Sequence, residues 1–103
     1  MHKAIVLGVV VLSTACSGWF DAPEVSKCER YLVSKLDKPE SYKRGRYDSL
    51  SLGKYWEVGI EFSYDDKSGT RVERAWQICD YALVNGKPDV SKFLKVSGSV
   101  GAP

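Results

Sequence analysis

At 103 residues, with 15 Lys and Arg against 13 Asp and Glu and a formal charge of +2, the chain has room for one small domain. Its charge is too balanced to imply non-specific nucleic-acid binding. The only histidine is His2, so the body of the chain has no imidazole for general acid–base work, a Ser–His pair or a zinc site, which excludes most familiar hydrolase mechanisms.

The N-terminus reads as an export signal. Lys3 precedes an apolar run over 4–12, followed by the small residues Ser13, Thr14 and Ala15 and then Cys16. The run is about half of the roughly 20 apolar residues that a membrane-spanning helix needs, and it fits a signal-peptide core. Leu12-Ser13-Thr14-Ala15-Cys16 resembles the lipobox of bacterial lipoproteins, small exported proteins in which diacylglycerol alkylates the cysteine before cleavage. Ser13 stands where that family usually has Leu, Val or Ile. Ser13 and Ala15 also fit an ordinary signal-peptidase site, so simple secretion is the alternative. The resemblance implies acylation of Cys16, with palmitate among the anchor's chains. Ser17, in place of an inner-membrane-retaining Asp, implies the outer membrane, facing the periplasm.

These readings divide the chain into a signal peptide (1–15), a lipid-anchored tether (16–20), an α+β domain (21–96) and a disordered Gly/Ser-bearing tail (97–103). The tether spans at most about 17 Å when extended, which holds the domain close to the membrane. Trp19 and Phe20 within it suit the headgroup interface. With Cys16 acylated, Cys28 and Cys79 remain as a pair in a compartment where disulfides persist. No Cys-x-x-Cys spacing suggests a redox role.

The first expected element is an N-terminal helix. Asp21 followed by Glu24 resembles a capping box, Pro23 suits the first turn, and Val25, Cys28, Tyr31, Leu32 and Leu36 recur at helical spacing. Pro39 should stop the helix near Asp37. In the following segment 35–47 the cations Lys35, Lys38, Lys43, Arg44 and Arg46 meet two tyrosines. It reads as a solvated loop, or as a patch for anionic lipid headgroups, lipopolysaccharide phosphates or an acidic protein.

Three or four strands should follow. A short one is expected over 47–52. The clearest runs over 55–64, with Trp56, Val58, Ile60 and Phe62 on one face. Residues 65–69 form a turn into a strand over 70–81, and Asn85-Gly86 is a hairpin turn that would return 90–96 as a fourth strand or short helix. The expected architecture is α+β, with one helix packed on a three- to four-stranded antiparallel sheet and stapled by one disulfide.

The strands contain a conflict. Pairing Tyr64 with Thr70 puts Trp76 and Ile78 on the apolar face and turns Cys79 away from Cys28. A β-bulge between Arg74 and Cys79 would return Cys79 to the core side. An unbulged strand would leave an aromatic face open for a partner.

No cofactor or metal is implied. Asp65 and Asp66 read as turn-formers. Glu57 and Glu61 lie about 13 Å apart at strand rise, beyond a glycosidase pair. The pattern Cys28…Leu36-Asp37-Lys38-Pro39-Glu40-Ser41…Cys79-Asp80-Tyr81 resembles small exported bacterial proteins of unassigned function, which supports the disulfide and fold but no activity. Two functions fit. One is a non-catalytic, membrane-anchored envelope lipoprotein that binds a protein partner, of exclusion, immunity or accessory-subunit type. The alternative is a ligand-binding or inhibitor module acting on cell-wall components or cell-wall hydrolases, with Tyr55, Trp56 or Trp76 stacking on sugar rings.

Overall fold

A helix lies across one face of an antiparallel sheet in the computed structural model, which describes residues 21–100. The signal peptide, Cys16, Trp19 and Phe20 fall outside the described residues. Helix α1 spans Pro23–Ser34, so it starts well inside the chain rather than at its N-terminus, although it precedes every strand. Pro23 opens it without loss, because the first helical N–H has no intrahelical acceptor.

The expected capping box does not form; Ala22 is the N-cap, without a side-chain bond. Arg44 claims Asp21, donating from Nη1 at 2.8 Å, and the Glu24 carboxylate accepts from Ser49 Oγ at 2.9 Å. Charge-assisted bonds to distant partners outcompete a local cap. The helix ends at Ser34, earlier than Pro39 requires, and Pro39 instead opens a single 3-10 turn, Pro39–Ser41. Val25, Cys28, Leu32 and Leu36 still form one buried stripe.

The main sheet has β1 (Lys43–Ser51), β2 (Trp56–Asp65), β3 (Arg71–Tyr81) and, later in the chain, β6 (Lys95–Gly98), in the order β1-β2-β3-β6 and antiparallel throughout. The loop expected over 35–47 is therefore corrected, since its last third is the start of β1. Between β3 and β6 a ribbon of β4 (Leu83–Val84) and β5 (Lys87–Pro88) closes around Asn85 (φ 55°) and Gly86 (φ 77°), the positive pair that a type I′ turn demands.

The fourth strand differs from expectation. The Asn85-Gly86 hairpin closes on itself, and β6 starts at Lys95 and runs into the segment expected to be a disordered tail. The apolar side chains of the intervening loop explain the delay. Lys27 Nζ donates to the Val90 carbonyl at 2.7 Å, and Phe93 packs its ring 5.3 Å from both Tyr31 and Tyr81. Only after Phe93 has packed against the core does the chain return to β3. There Gly98 faces the Gln77 side chain so closely that a Cβ would clash, and Ser99 extends the pairing through Trp76.

The register of β3 resolves the facing conflict. Tyr64 pairs with Val72, but Phe62 pairs with Ala75, so β3 carries one extra residue at Glu73–Arg74, and Arg74 adopts φ 57°. The bulge lies at the N-terminal edge of the expected window, so the expected placement of Trp76 and Ile78 on the apolar face is corrected. Ala75, Gln77, Cys79 and Tyr81 all turn inward, while Trp76 turns out and is 44% exposed.

Burial explains why this facing wins. An unbulged β3 would send Asp80 into the core with no cation beside it and leave Tyr81 outside. A left-handed non-glycine residue costs roughly 1–2 kcal/mol, whereas burying an aromatic side chain gains about 1.5–3 kcal/mol and burying a lone charge costs more than that. Tyr81 is fully buried, and its hydroxyl donates to the Glu24 carbonyl at 2.6 Å.

With Cys79 facing the helix, the Cys28–Cys79 disulfide forms across the layers, with 5.9 Å between Cα atoms and a sequence separation of 51. Both cysteines are fully buried among Leu32, Val58, Ile60 and Phe62. Closing a loop of this length stabilises a small domain by roughly 4 kcal/mol in the chain-entropy account. Replacing both (Cys28→Ala with Cys79→Ala) should lower the unfolding free energy by about that amount in urea titration.

Candidate functional site

Since α1 covers only one face of the sheet, the other is bare among the described residues. On β2 the inward positions are Val58, Ile60 and Phe62, which leaves Glu57, Gly59 and Glu61 outward. Register then places Asp48 and Leu50 of β1, and Trp76, Ile78 and Asp80 of β3, beside them on the same open face. Leu50 is 43% exposed. An added Cβ on Gly59 would meet nothing within 4 Å, so the centre of the face is a hollow walled by Leu50, Trp76 and Ile78. Its volume is about 510 Å³.

A second bulge lies opposite the first. Arg44 pairs with Phe62 but Tyr47 with Ile60, so β1 has its extra residue at Gly45–Arg46. Both neighbours of β2 thus bulge, β1 opposite Glu61 and β3 opposite Ser63, and each bulge delivers an arginine to the same end of the open face, Arg46 beside Glu61 and Arg74 nearer the 66–70 turn. Arg46 Nε lies 3.3 Å from Glu61 Oε1, with the arginine side chain 91% exposed. Among the described residues Arg74 has no ion pair within 4 Å. The two arginines border both the central hollow and a second one of about 570 Å³ toward the 66–70 turn, lined also by Lys43, Ser63 and Glu73.

Arg71, at that same end, is held in place. It donates to Ser63 Oγ at 2.6 Å, to the Ser41 carbonyl at 2.8 Å and to Asp65 at 3.1 Å. Asp66 shapes the turn by accepting from the Ser68 and Thr70 amides and the Ser68 hydroxyl, which hold its carboxyl below the ordinary range.

The opposite end of the face is acidic. Glu57 and Asp80 are directly cross-strand neighbours, a repulsive pairing of like charges. Asp80 Oδ1 is buried without a hydrogen-bond partner. Burial, reinforced by the charge of Asp80, pushes the Glu57 carboxyl above its ordinary value. The open face thus runs from a cationic end through an apolar centre to an end where the Glu57 and Asp80 carboxyls stand beside Lys95 of β6.

The basic residues singled out by sequence do not form one patch. Lys35 is the helix C-cap and reaches Tyr31; Lys38 caps the 3-10 turn. Arg44 faces the helix side, bonded to Asp21, 3.6 Å from Glu29, with its guanidinium over the Tyr47 ring. Tyr42 donates a hydrogen bond to Glu29; burial, that bond and the nearby charge of Glu29 push its phenol far up. Only Lys43 and Arg46 reach the open face, where Arg71 and Arg74, read simply as strand residues, join them. The aromatic candidates also separate. Tyr55 and Trp56 are half-buried, and the Trp56 indole N–H donates to Ser49 Oγ at 2.8 Å. Trp76 alone of the three stands open.

Among the described residues no group of three or more His, Cys, Asp or Glu is placed to hold a metal ion, and no helix is long and apolar enough to cross a membrane.

The raised Glu57 carboxyl gives a pH-dependent cost. Its stability contribution is unaffected below the unfolded value near 4.5 and is lost as pH rises through the higher folded value. Glu57→Gln should therefore raise the melting temperature at pH 7, with the gain vanishing once the pH falls below the unfolded value; thermal melts across pH measure it.

Comparison with protein-family models, curated proteins and solved structures returns no match.

Proposed function

We propose that the chain is a non-catalytic, lipid-anchored protein of the bacterial cell envelope that holds a protein partner on the open face of its sheet. The Gly59 hollow carries this reading. A small domain has little apolar surface to spare, yet Leu50, Trp76 and Ile78 stand around an unfilled space at the centre of an uncovered sheet. Interfaces concentrate their binding energy where an anchor side chain fills such a space beside a Trp.

Charge complementarity specifies the occupant. It is a protein segment with an apolar side chain for the hollow and a Lys or Arg next to it for Glu57 and Asp80. An incoming cation relieves the repulsion between these carboxyls. The anchor rests on the lipobox-like residues 12–16, and a partner at the envelope is consistent with an exclusion, immunity or accessory-subunit role. The sugar-binding alternative has less support, since stacking platforms for glycans need several exposed rings and only Trp76 of the three named aromatics is open.

A photo-crosslinking amino acid introduced at position 78 in intact cells should yield a discrete protein adduct. Gly59→Val, which adds bulk only to the hollow, should abolish it, and Asp80→Asn should weaken it. An adduct that survives Gly59→Val, or labelling of only bulk lipid and peptidoglycan, would contradict the assignment. The mass of the mature N-terminus tests the anchor separately, by the presence of diacylglycerol and acyl chains on Cys16.

A further inference from the structure

The cationic end of the open face is separate in chemistry from the apolar hollow, and its position relative to the chain's entry suggests a second occupant. The described chain starts at Asp21, which is ion-paired at 2.8 Å to Arg44 on β1. Arg44 lies on the same short stretch of edge strand as Lys43 and Arg46, which turn to the other side and border the cationic hollow. Four residues lie between Cys16 and Asp21, a reach of at most about 17 Å. An acyl anchor at Cys16 therefore brings a bilayer surface within reach of this edge of the molecule.

We infer that the hollow between Lys43, Arg46 and Arg74 takes the anionic headgroups of the membrane that carries the anchor. This inference rests on the lipid-anchor reading and assigns the cationic end to lipid, leaving the Gly59 centre to protein. Four observations support it. The two bulges raise Arg46 and Arg74 on either side of one strand. Arg74 holds a left-handed conformation there although it is not glycine, and it has no ion pair within 4 Å among the described residues. Lys43 is exposed, and among the described residues Arg46 has only the half-buried Glu61 as an ion-pair partner. Finally, the carboxylates in the hollow, Glu61 and Glu73, are fewer than its cations, so phosphate-bearing headgroups gain net attraction. Bound this way, the sheet stands on its 66–70 end, and the Gly59 hollow faces sideways along the membrane, accessible to a neighbour in the same layer.

The test uses the acylated protein in lipid nanodiscs that carry a gadolinium-chelate lipid, with amide signal broadening as the readout. With phosphatidylglycerol present, amides of Lys43, Arg46 and Arg74 should broaden more than that of Lys35 on the helix side. Phosphatidylcholine alone or high salt should remove the difference. Each basic side chain near an anionic surface favours the docked orientation about fivefold, so Lys43→Glu with Arg46→Glu should abolish the excess broadening. Glu61→Gln with Glu73→Gln should increase it, a change of opposite sign that a misfolded variant would not produce. Equal broadening with and without phosphatidylglycerol, in a chain whose N-terminal mass confirms acylation, overturns the headgroup site while leaving the anchor. An N-terminus without acyl chains overturns the anchor and this orientation together.

Discussion

One extra residue in β3 determines the rest of this structure. The bulge at Glu73–Arg74 changes which side chains after it face the helix, so that Cys79 meets Cys28 and Tyr81 reaches the Glu24 carbonyl, while Trp76 and Ile78 are turned to the other side. Without that residue, the inward face of β2 and the disulfide could not be satisfied by the same pair of strands. The cost is one arginine in a left-handed conformation, small against the burial and the covalent link that it permits.

The same residue shapes the outer face. Turning Trp76 outward next to Gly59 creates the apolar hollow, and raising Arg74 opposite Arg46 creates the cationic end. Core formation and surface chemistry are therefore not independent in this chain, because both are set by the parity of a single strand. Bulges commonly occur where a strand must re-aim a side chain, and two of them flanking β2, opposite Glu61 and Ser63, concentrate that effect at one end of the face. Each end of the face has its own source of unpaired charge, exposed cations at one and opposed carboxyls at the other. An anionic surface and a basic partner could both be held without competing.

Much of the fold is legible in the residues. The alternation of Trp56, Val58, Ile60 and Phe62 marks β2 and its facing, the spacing of Val25, Cys28, Leu32 and Leu36 marks the buried stripe of α1, and Asn85-Gly86 marks its turn. What is not legible depends on contacts distant in sequence. Asp21 looks like a cap until Arg44, 23 residues away, claims it. Segment 43–46 looks like a charged loop because the polar side chains of an edge strand carry no alternation, and their pairing comes from Phe62 and Ser63 on β2. The end of the chain looks unstructured because Gly98 and Ser99 contribute backbone and small side chains rather than apolar mass. The open face was hidden for a related reason. Its cationic end is assembled from β1 and β3, whose arginines become neighbours only once both bulges are in place.

Deleting Arg74 tests the parity argument most directly. It removes the extra residue while leaving every apolar and cysteine side chain in the sequence, and the readout is the number of thiols that alkylate under non-reducing, denaturing conditions. The account predicts that the deletion leaves Cys28 and Cys79 as free thiols, whereas they stay blocked in the intact chain. A fully formed Cys28–Cys79 disulfide and unchanged thermal stability after the deletion would contradict it.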